Sequence, residues 1–353
     1  MKTKLNLEST GTPFNTLEKN VTRDHAEQNS DSSVIIRSRG SEKVTVRKWT
    51  EKKYKSKHIA DALMEVAYMN EEWEWYKKYN YTKTKCLESF VTGDGKAFGH
   101  YCKKPWCPIC LAIRKSIHIH QYYPIIKEWE RPTFVTLTAQ AQNHRDLSMW
   151  VDLLFDKLNR ILEKLEMRRY RSGSEKFRCL ICIECCFNPE KNWYNPHFHI
   201  VTSNYPEGRE LREEWLKAFP TKLAHPVAQY IDPVRDKLKN LVEVIKYGAK
   251  ILTDAETTNK GKRERLPYIY ASALHEINKV FHGRKLIRKR GFKLIKNEDE
   301  IKELVIQDLQ SWSYDDFVRT WVNETTGELL TAPYIPDQNL VSIYENNLDY
   351  KSR

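Results

Sequence analysis

Long apolar stretches are missing from this sequence. No run of about 18 consecutive apolar residues is present, so no segment is long enough to cross a bilayer as a helix. The N-terminal stretch MKTKLNLESTGTPFN lacks the apolar core of a signal peptide. We therefore expect a cytoplasmic protein with no membrane partner. In that reducing compartment, the eight cysteines are expected to be metal ligands or buried thiols rather than disulfides.

Composition limits the size and the partners of the protein. With 353 residues, the chain is long enough for about two compact units. Lysine and arginine number 59 against 47 acidic residues, and the net charge of +12 favours a polyanionic partner such as nucleic acid. The 19 tyrosines and 10 tryptophans could stack on unpaired bases, although ordinary packing is expected for most of them.

Shifts in composition divide the chain into regions, and no internal repeat is visible. The N-terminal region is polar with few large apolar side chains, which is typical of a disordered arm. Apolar residues then recur at helical intervals, as at Ile59, Leu63 and Val66. The predicted regions are a disordered arm (1–44), a helical segment (45–85), a cysteine-rich zinc knuckle (86–112), a mixed domain (113–256) and a basic helical C-terminal region (257–353).

Strand and helix patterns alternate through the mixed domain. Runs rich in β-branched or apolar residues predict strands, and apolar stripes at helical spacing predict helices. The predicted strands are 131–140, 177–187, 194–203 and 228–234, and the predicted helices are 150–165, 208–219 and 239–252. The second and third strands are close enough in the chain to form a hairpin. This order predicts an α+β fold, in which an antiparallel sheet carries helices on one face.

Two histidines stand one residue apart in the predicted strand YNPHFHIVTS. Side chains alternate between the faces of a strand, so His197 and His199 point one way while Phe198 and Ile200 point the other. Two adjacent imidazoles can hold a metal ion. The alternative is that both histidines simply line a solvated face of the sheet.

Cysteines cluster in the stretch CKKPWCPIC, which has the spacing C-x4-C-x2-C. A C-x2-C turn can hold two thiolates on one tetrahedral zinc ion. A further cysteine lies sixteen residues upstream, and His100 is an alternative fourth ligand. The predicted structural zinc ligands are Cys86, Cys102, Cys107 and Cys110. The remaining cysteines lie in an apolar strand and are predicted to be free buried thiols: Cys179, Cys182, Cys185 and Cys186.

The predicted helix LVEVIKYGAKIL carries a carboxylate, a phenol and ammonium groups on one side. Glu243 and Tyr247 are four residues apart, Tyr247 and Lys250 are three apart, and Lys246 is adjacent. Nearby cations favour the phenolate form of a tyrosine, which can attack a phosphodiester. Such residues on a helix can equally form an ordinary solvated face.

The densest positive run is HGRKLIRKRGFK at 282–293. Phosphate contact is its natural functional interpretation, and a solvated face is the alternative. The predicted DNA-binding residues are Arg284, Lys285, Arg288, Lys289 and Arg290.

Taken in order, FVTLT, NPHFHIV and EVIKYGAK resemble the three motifs of plasmid rolling-circle replication initiators, within the HUH endonuclease group. CKKPWCPIC looks like the cysteine knuckle of one plasmid branch, and AQYIDPVRD is similar to the strand that precedes the tyrosine helix there. The resemblance covers about residues 86–295. It implies that residues 113–256 are the nuclease domain and that the chain nicks single-stranded or hairpin origin DNA with a host helicase and polymerase as partners.

The resemblance also implies a role for each matching residue. His197 and His199 would coordinate Mg²⁺ or Mn²⁺, with Glu184 as the candidate third ligand. Tyr247 would attack the scissile phosphate, leaving a 5′-phosphotyrosine and a 3′-hydroxyl that primes synthesis. Glu243 would activate water for the terminating cleavage.

Two positions depart from the motifs of many relatives. Asn195 stands where many have another histidine, outside the alternating pair, and Ile251 stands where a two-tyrosine relative has its second nucleophile. The latter favours a single-tyrosine mechanism. The alternatives are a relaxase or single-strand transposase of the same chemical group, or a non-catalytic zinc-knuckle protein that binds nucleic acid. Relaxases generally place the tyrosine ahead of the histidines, which is the reverse of the order here.

Overall fold

The structure is a computed structural model that describes two compact units. The described residues are 18–19, 35–37, 43–93, 96–247, 269–294, 310–341 and 348–349. The first unit is Met1–Ser116 with Lys296–Asn346, and the second is Ile117–Ile295 with Asn347–Arg353. Among the helices described, none combines the length and the apolar character needed to cross a bilayer.

Both helices and strands occur along the described part of the chain. The helices are α1 (Val46–Met69), α2 (Trp73–Lys85), α3 (Pro108–Ile126), α4 (Leu147–Arg171), α5 (Tyr205–Ala218), α6 (Lys237–Tyr247), α7 (Ala271–Phe281) and α8 (Gln338–Val341). The strands are β1 (Glu18–Lys19), β2 (Ile35–Arg37), β3 (Lys43–Thr45), β4 (Ser89–Gly93), β5 (Lys96–Gly99), β6 (Thr133–Thr138), β7 (Cys179–Asn188), β8 (Trp193–Thr202), β9 (Tyr230–Pro233), β10 (Ile269–Tyr270), β11 (Ile287–Arg290), β12 (Gln310–Asp315), β13 (Thr320–Asn323) and β14 (Leu348–Asp349).

The first unit contains a four-stranded antiparallel sheet in the order β13-β12-β4-β5, and α1 packs against α2. Large aromatic side chains fill its interior. Trp106 meets Tyr79 edge to face at a centroid distance of 4.9 Å. The indole of the buried Trp321 donates a hydrogen bond to the carbonyl of Leu87 at 3.1 Å, so its polar atom is satisfied inside the core.

The second unit is built on a five-stranded antiparallel sheet in the order β11-β7-β8-β6-β9. β7 and β8 form the predicted hairpin, with Glu184 directly opposite His197. The Asn188 side-chain oxygen accepts hydrogen bonds from the backbone N–H groups of Glu190 and Lys191, which closes the connecting turn.

Helices cover both faces of this sheet. On one face, α4, α5 and α7 pack against side chains that include Ile181, Phe198 and Ile200. On the other face, α3 and α6 pack against Leu180 and Val201. The α+β class with an antiparallel sheet is confirmed. The helices are not confined to one face, because β7 is apolar on both sides and each side needs cover from water.

Long-range strand pairing groups the C-terminal residues differently from the predicted regions. β11 joins the second unit by pairing with β7, and β12 joins the first by pairing with β4. The region predicted as helical, 257–353, thus contributes strands to both sheets. The predicted disordered arm, 1–44, lies outside the described residues, apart from the backbone of a small antiparallel sheet formed by β1, β2 and β3.

Candidate metal centre

Three predicted metal ligands converge on one face of the β7–β8 hairpin. Antiparallel pairing sets Glu184 opposite His197, and His199 follows on the same face two residues along β8. Phe198 lies on the opposite face and is buried against α4 and α5. The local alternation predicted from the sequence is therefore confirmed, and the pairing of the strands adds the carboxylate.

Distances among the three ligand atoms suit a single cation. The two histidine Nε2 atoms are 3.0 Å apart, and Glu184 Oε2 lies 3.2 Å from His199 Nε2 and 3.4 Å from His197 Nε2. Neighbouring ligands about 2.1 Å from an octahedral ion are separated by about 3.0 Å. All three side chains are buried or nearly so, which limits competition from water.

Outer hydrogen bonds orient both imidazoles. His197 Nδ1 lies 3.0 Å from the Asn195 carbonyl, which can only accept, so Nδ1 carries the proton and Nε2 keeps its lone pair in the neutral ring. His199 Nδ1 lies 3.3 Å from Thr136 Oγ1. Phe134 stacks on the His199 ring at 5.5 Å between centroids. The Nε2 atoms thus face each other as ready ligands.

Glu184 is held as a carboxylate. Burial disfavours its charge, but the interactions of its carboxylate with His197 and His199 outweigh that effect and lower the pKa of Glu184 to about 2. An ionised carboxylate is the form that binds a hard divalent cation. The residues therefore fit the Mg²⁺ or Mn²⁺ that the motifs imply.

The tyrosine helix packs on the same face of the sheet as the metal ligands. Leu241 and Val244 of α6 are buried with Leu180 of β7. The predicted catalytic residues Glu243, Lys246 and Tyr247 lie on the described backbone of α6, while their side chains are outside the described part of the structure, as is Lys250 altogether. Their roles stay predictions.

The predicted DNA-binding run does not form one continuous surface. Arg284 makes an ion pair with Asp152 of α4, Arg288 lies 4.0 Å from the ring centroid of Phe155, and Arg290 lies 3.6 Å from Glu166. Arg288 and Arg290 contact α4 because alternation on β11 turns both side chains away from the metal ligands.

The two lysines of the run lie elsewhere. Lys289 is on the same face of the sheet as the metal ligands and donates a hydrogen bond to the carbonyl of Phe292 at 2.7 Å. Lys285 is exposed just before β11. Their contact with DNA, like that of the arginines, stays a prediction.

Four cysteines in the first unit form a second group that could hold a metal ion. Cys86, Cys102, Cys107 and Cys110 are all buried and all free. Their sulfurs are 3.5 to 3.6 Å apart where they touch, which is too long for a disulfide of about 2.05 Å. Four thiolates at about 2.3 Å from a tetrahedral ion would be about 3.8 Å apart. The group therefore fits one such ion after a small expansion.

Hydrogen bonds to sulfur support this group. The backbone N–H of Lys103 donates to Cys110 Sγ at 3.2 Å from a left-handed backbone with φ of 58°, and Ser56 Oγ lies 3.3 Å from Cys107 Sγ. His100, the alternative fourth ligand, instead contacts the hydroxyl of Tyr81.

One cysteine of β7, next to the group formed by Glu184, His197 and His199, differs from its prediction. Cys186 was expected to be a buried thiol like its neighbours, but it is only half-buried, and its Sγ lies 3.6 Å from Glu184 Oε1. Counting two residues onward from Glu184 along a strand would have placed it on the ligand face. The apolar run concealed this signal.

Comparisons with known proteins give one distant likeness. No protein-family model matches the chain, and no solved structure matches it. A Staphylococcus aureus protein named Protein rep is 26% identical over 161 residues, a stretch that covers 42% of this chain and 69% of that protein. The chain is thus distantly similar to a Rep protein.

Proposed function

We propose that this chain initiates rolling-circle DNA replication by nicking one strand of an origin through Tyr247. The observation that carries the proposal is the convergence of His197, His199 and Glu184 on the sheet face against which α6, the helix of Tyr247, also packs. The likeness to Protein rep and the order of the three motifs support the same function.

The three ligands would hold Mg²⁺ or Mn²⁺, which supplies Lewis-acid polarisation of the scissile phosphate. Glu184 contributes the negative charge, and the outer hydrogen bond of His197 keeps Nε2 directed inward. Because the ligands are buried on a hairpin that is paired along its whole length, they need little rearrangement when DNA arrives.

The covalent step belongs to the tyrosine helix. The Tyr247 oxygen bonds to phosphorus as the bond from phosphorus to the 3′ oxygen breaks, which leaves a 5′-phosphotyrosine and a free 3′-hydroxyl. Lys246 and Lys250 favour the phenolate. At termination, Glu243 accepts a proton from the water that attacks the scissile phosphate.

The products define the expected partners. A 3′-hydroxyl is a primer for a polymerase, and continued synthesis on duplex DNA needs a helicase to displace the nicked strand. The net charge of +12 favours binding to the single-stranded or hairpin origin. We place this activity in the cytoplasm and assign no membrane partner.

The four-cysteine group is proposed to be a structural zinc site that is separate from the nuclease chemistry. Four thiolates complete a tetrahedral shell and leave no position for water or substrate. Buried Lys53 donates a hydrogen bond to the Cys86 carbonyl at 2.7 Å and forms an ion pair with Glu88, which helps to fix the start of this segment.

A covalent trapping assay tests the proposed function. Purified protein is incubated with Mn²⁺ and labelled single-stranded fragments that tile the DNA of the element encoding the chain. A denaturation-resistant protein–DNA adduct is expected at one site for the wild type and not for Tyr247→Phe. A Tyr230→Phe control changes another tyrosine, half-exposed on β9 of the same sheet, and is expected to retain the adduct. Binding without any adduct would favour the non-catalytic alternative.

A further inference from the structure

Cys186 belongs to a second possible ligand set at the centre on the β7–β8 hairpin. It follows Glu184 by two positions on β7 and is paired with Asn195, so it lies on the face that carries the histidines. Possible ligand atoms of Glu184, Cys186 and His197 all lie within 4.8 Å of one another. This set shares Glu184 and His197 with the group formed by Glu184, His197 and His199.

The Glu184 carboxylate joins the two sets. Its Oε2 atom faces His197 and His199, at 3.4 and 3.2 Å, while its Oε1 atom lies 3.6 Å from Cys186 Sγ. Glu184 is buried, whereas Cys186 is partly exposed. An ion arriving from solvent therefore meets the sulfur at the rim of the centre.

The two sets suit different ions. Mg²⁺ prefers oxygen ligands and keeps several waters, whereas a thiolate beside an imidazole and a carboxylate suits Zn²⁺, Co²⁺ or Cd²⁺. Because Glu184 and His197 belong to both sets, occupation of one excludes the other.

We propose that Glu184, Cys186 and His197 bind a thiophilic divalent ion, which displaces the hard cation and inhibits nicking. Binding releases the Cys186 thiol proton to solvent as the sulfur-to-metal bond forms. The inhibition rests on the proposed nicking function, but the binding does not.

Cobalt spectroscopy tests the binding by itself. Full-length protein is first loaded with one equivalent of Zn²⁺, which the four-cysteine group retains because Zn²⁺ binds such sites more tightly than Co²⁺. Added Co²⁺ is expected to give a near-ultraviolet band from thiolate-to-cobalt charge transfer. The band should be lost in Cys186→Ser and kept in Cys185→Ser, a matched variant on the opposite, buried face of β7. A band absent from the wild type, or unchanged in Cys186→Ser, would overturn the proposal.

Inhibition is measured separately. For each variant, the Mn²⁺-dependent nicking rate in the presence of Zn²⁺ is divided by the rate of the same variant without Zn²⁺. The Zn²⁺ concentration that halves the rate is expected to be at least roughly tenfold higher for Cys186→Ser than for the wild type. Equal sensitivity would refute the inhibitory role. If no variant nicks DNA with any metal, the proposed function fails, while the cobalt band still decides the ligand set.

Discussion

Glu184 and His197 are a directly opposed cross-strand pair of the β7–β8 hairpin, and the carboxylate Oε2 lies 3.4 Å from the imidazole Nε2. Glu184→Gln keeps the shape but removes the charge that attracts a divalent ion. We expect Mn²⁺ affinity to fall by about 10- to 100-fold or more, as measured by calorimetric titration. Glu163→Gln, an exposed change on α4, should bind Mn²⁺ like the wild type. Unchanged affinity in Glu184→Gln would remove this carboxylate from the ligand set.

His199→Ala tests the imidazole pair. Removal of one ligand should reduce Mg²⁺- or Mn²⁺-dependent nicking by more than about 100-fold, because even outer-shell partners of a metal contribute about 10- to 100-fold. Origin binding should be largely retained, since affinity comes mainly from phosphate contacts with basic residues. Nicking and gel-shift assays on the same preparation measure both, with exposed His144→Ala as the matched control. Normal nicking by His199→Ala would assign the histidines to packing.

Substitutions of Tyr247 and Glu243 are expected to block different steps of replication. Tyr247→Phe removes the oxygen that we propose as the nucleophile, so no covalent product is expected. Glu243→Gln removes the base that we propose activates water, so initiation should persist while multimeric single strands accumulate. Replication products are resolved on denaturing gels, and the trapped adduct is mapped by mass spectrometry. A nucleotide attached to another tyrosine, such as Tyr230, would contradict both assignments.

Cys107→Ser tests the four-cysteine group. Loss of one sulfur should remove bound zinc and lower the stability of the first unit by several kcal/mol, because metal binding free energy is also folding free energy. Zinc content by elemental analysis and thermal unfolding are measured together. Cys179→Ser, a buried cysteine outside the group, should keep the zinc content of the wild type. Wild-type protein free of zinc after gentle purification would contradict this assignment.

Gly291 follows β11 and cannot carry a side chain in its present position. Its φ is +73°, and a Cβ would lie 2.0 Å from the Phe177 carbonyl oxygen. Gly291→Ala should reduce the free energy of unfolding by about 3 kcal/mol or more, through backbone strain plus displacement of Phe177. Gly173→Ala is a matched control, since its φ is +64° with open space around it, and should cost about 1 to 2 kcal/mol. Denaturant titration measures the free energy of unfolding of both variants. Equal losses would mean that the backbone of Phe177 moves aside at little cost.

Local patterns were sufficient for several features of the second unit. Alternation with a period of two placed His197 and His199 together, and the apolar run at 177–187 marked the hairpin partner. The motif order pointed to a replication protein, in agreement with the distant likeness to Protein rep. These features were accessible because strand alternation and hairpin turns depend on residues close together in the chain.

Contacts between residues that are far apart in the chain were decided by the tertiary structure alone. The sequence left Cys86 and His100 as alternatives, and packing brought Cys86 to the other sulfurs. Pairing of β11 with β7 turned Arg288 toward α4, whereas Lys289 of the same run lies on the opposite face of the sheet. The partial exposure of Cys186, in a run of otherwise buried cysteines, also came from the tertiary fold. The sequence by itself determined which side chains share a face, whereas the register between distant strands decided which of those faces meet, because that register depends on burying many apolar side chains at once.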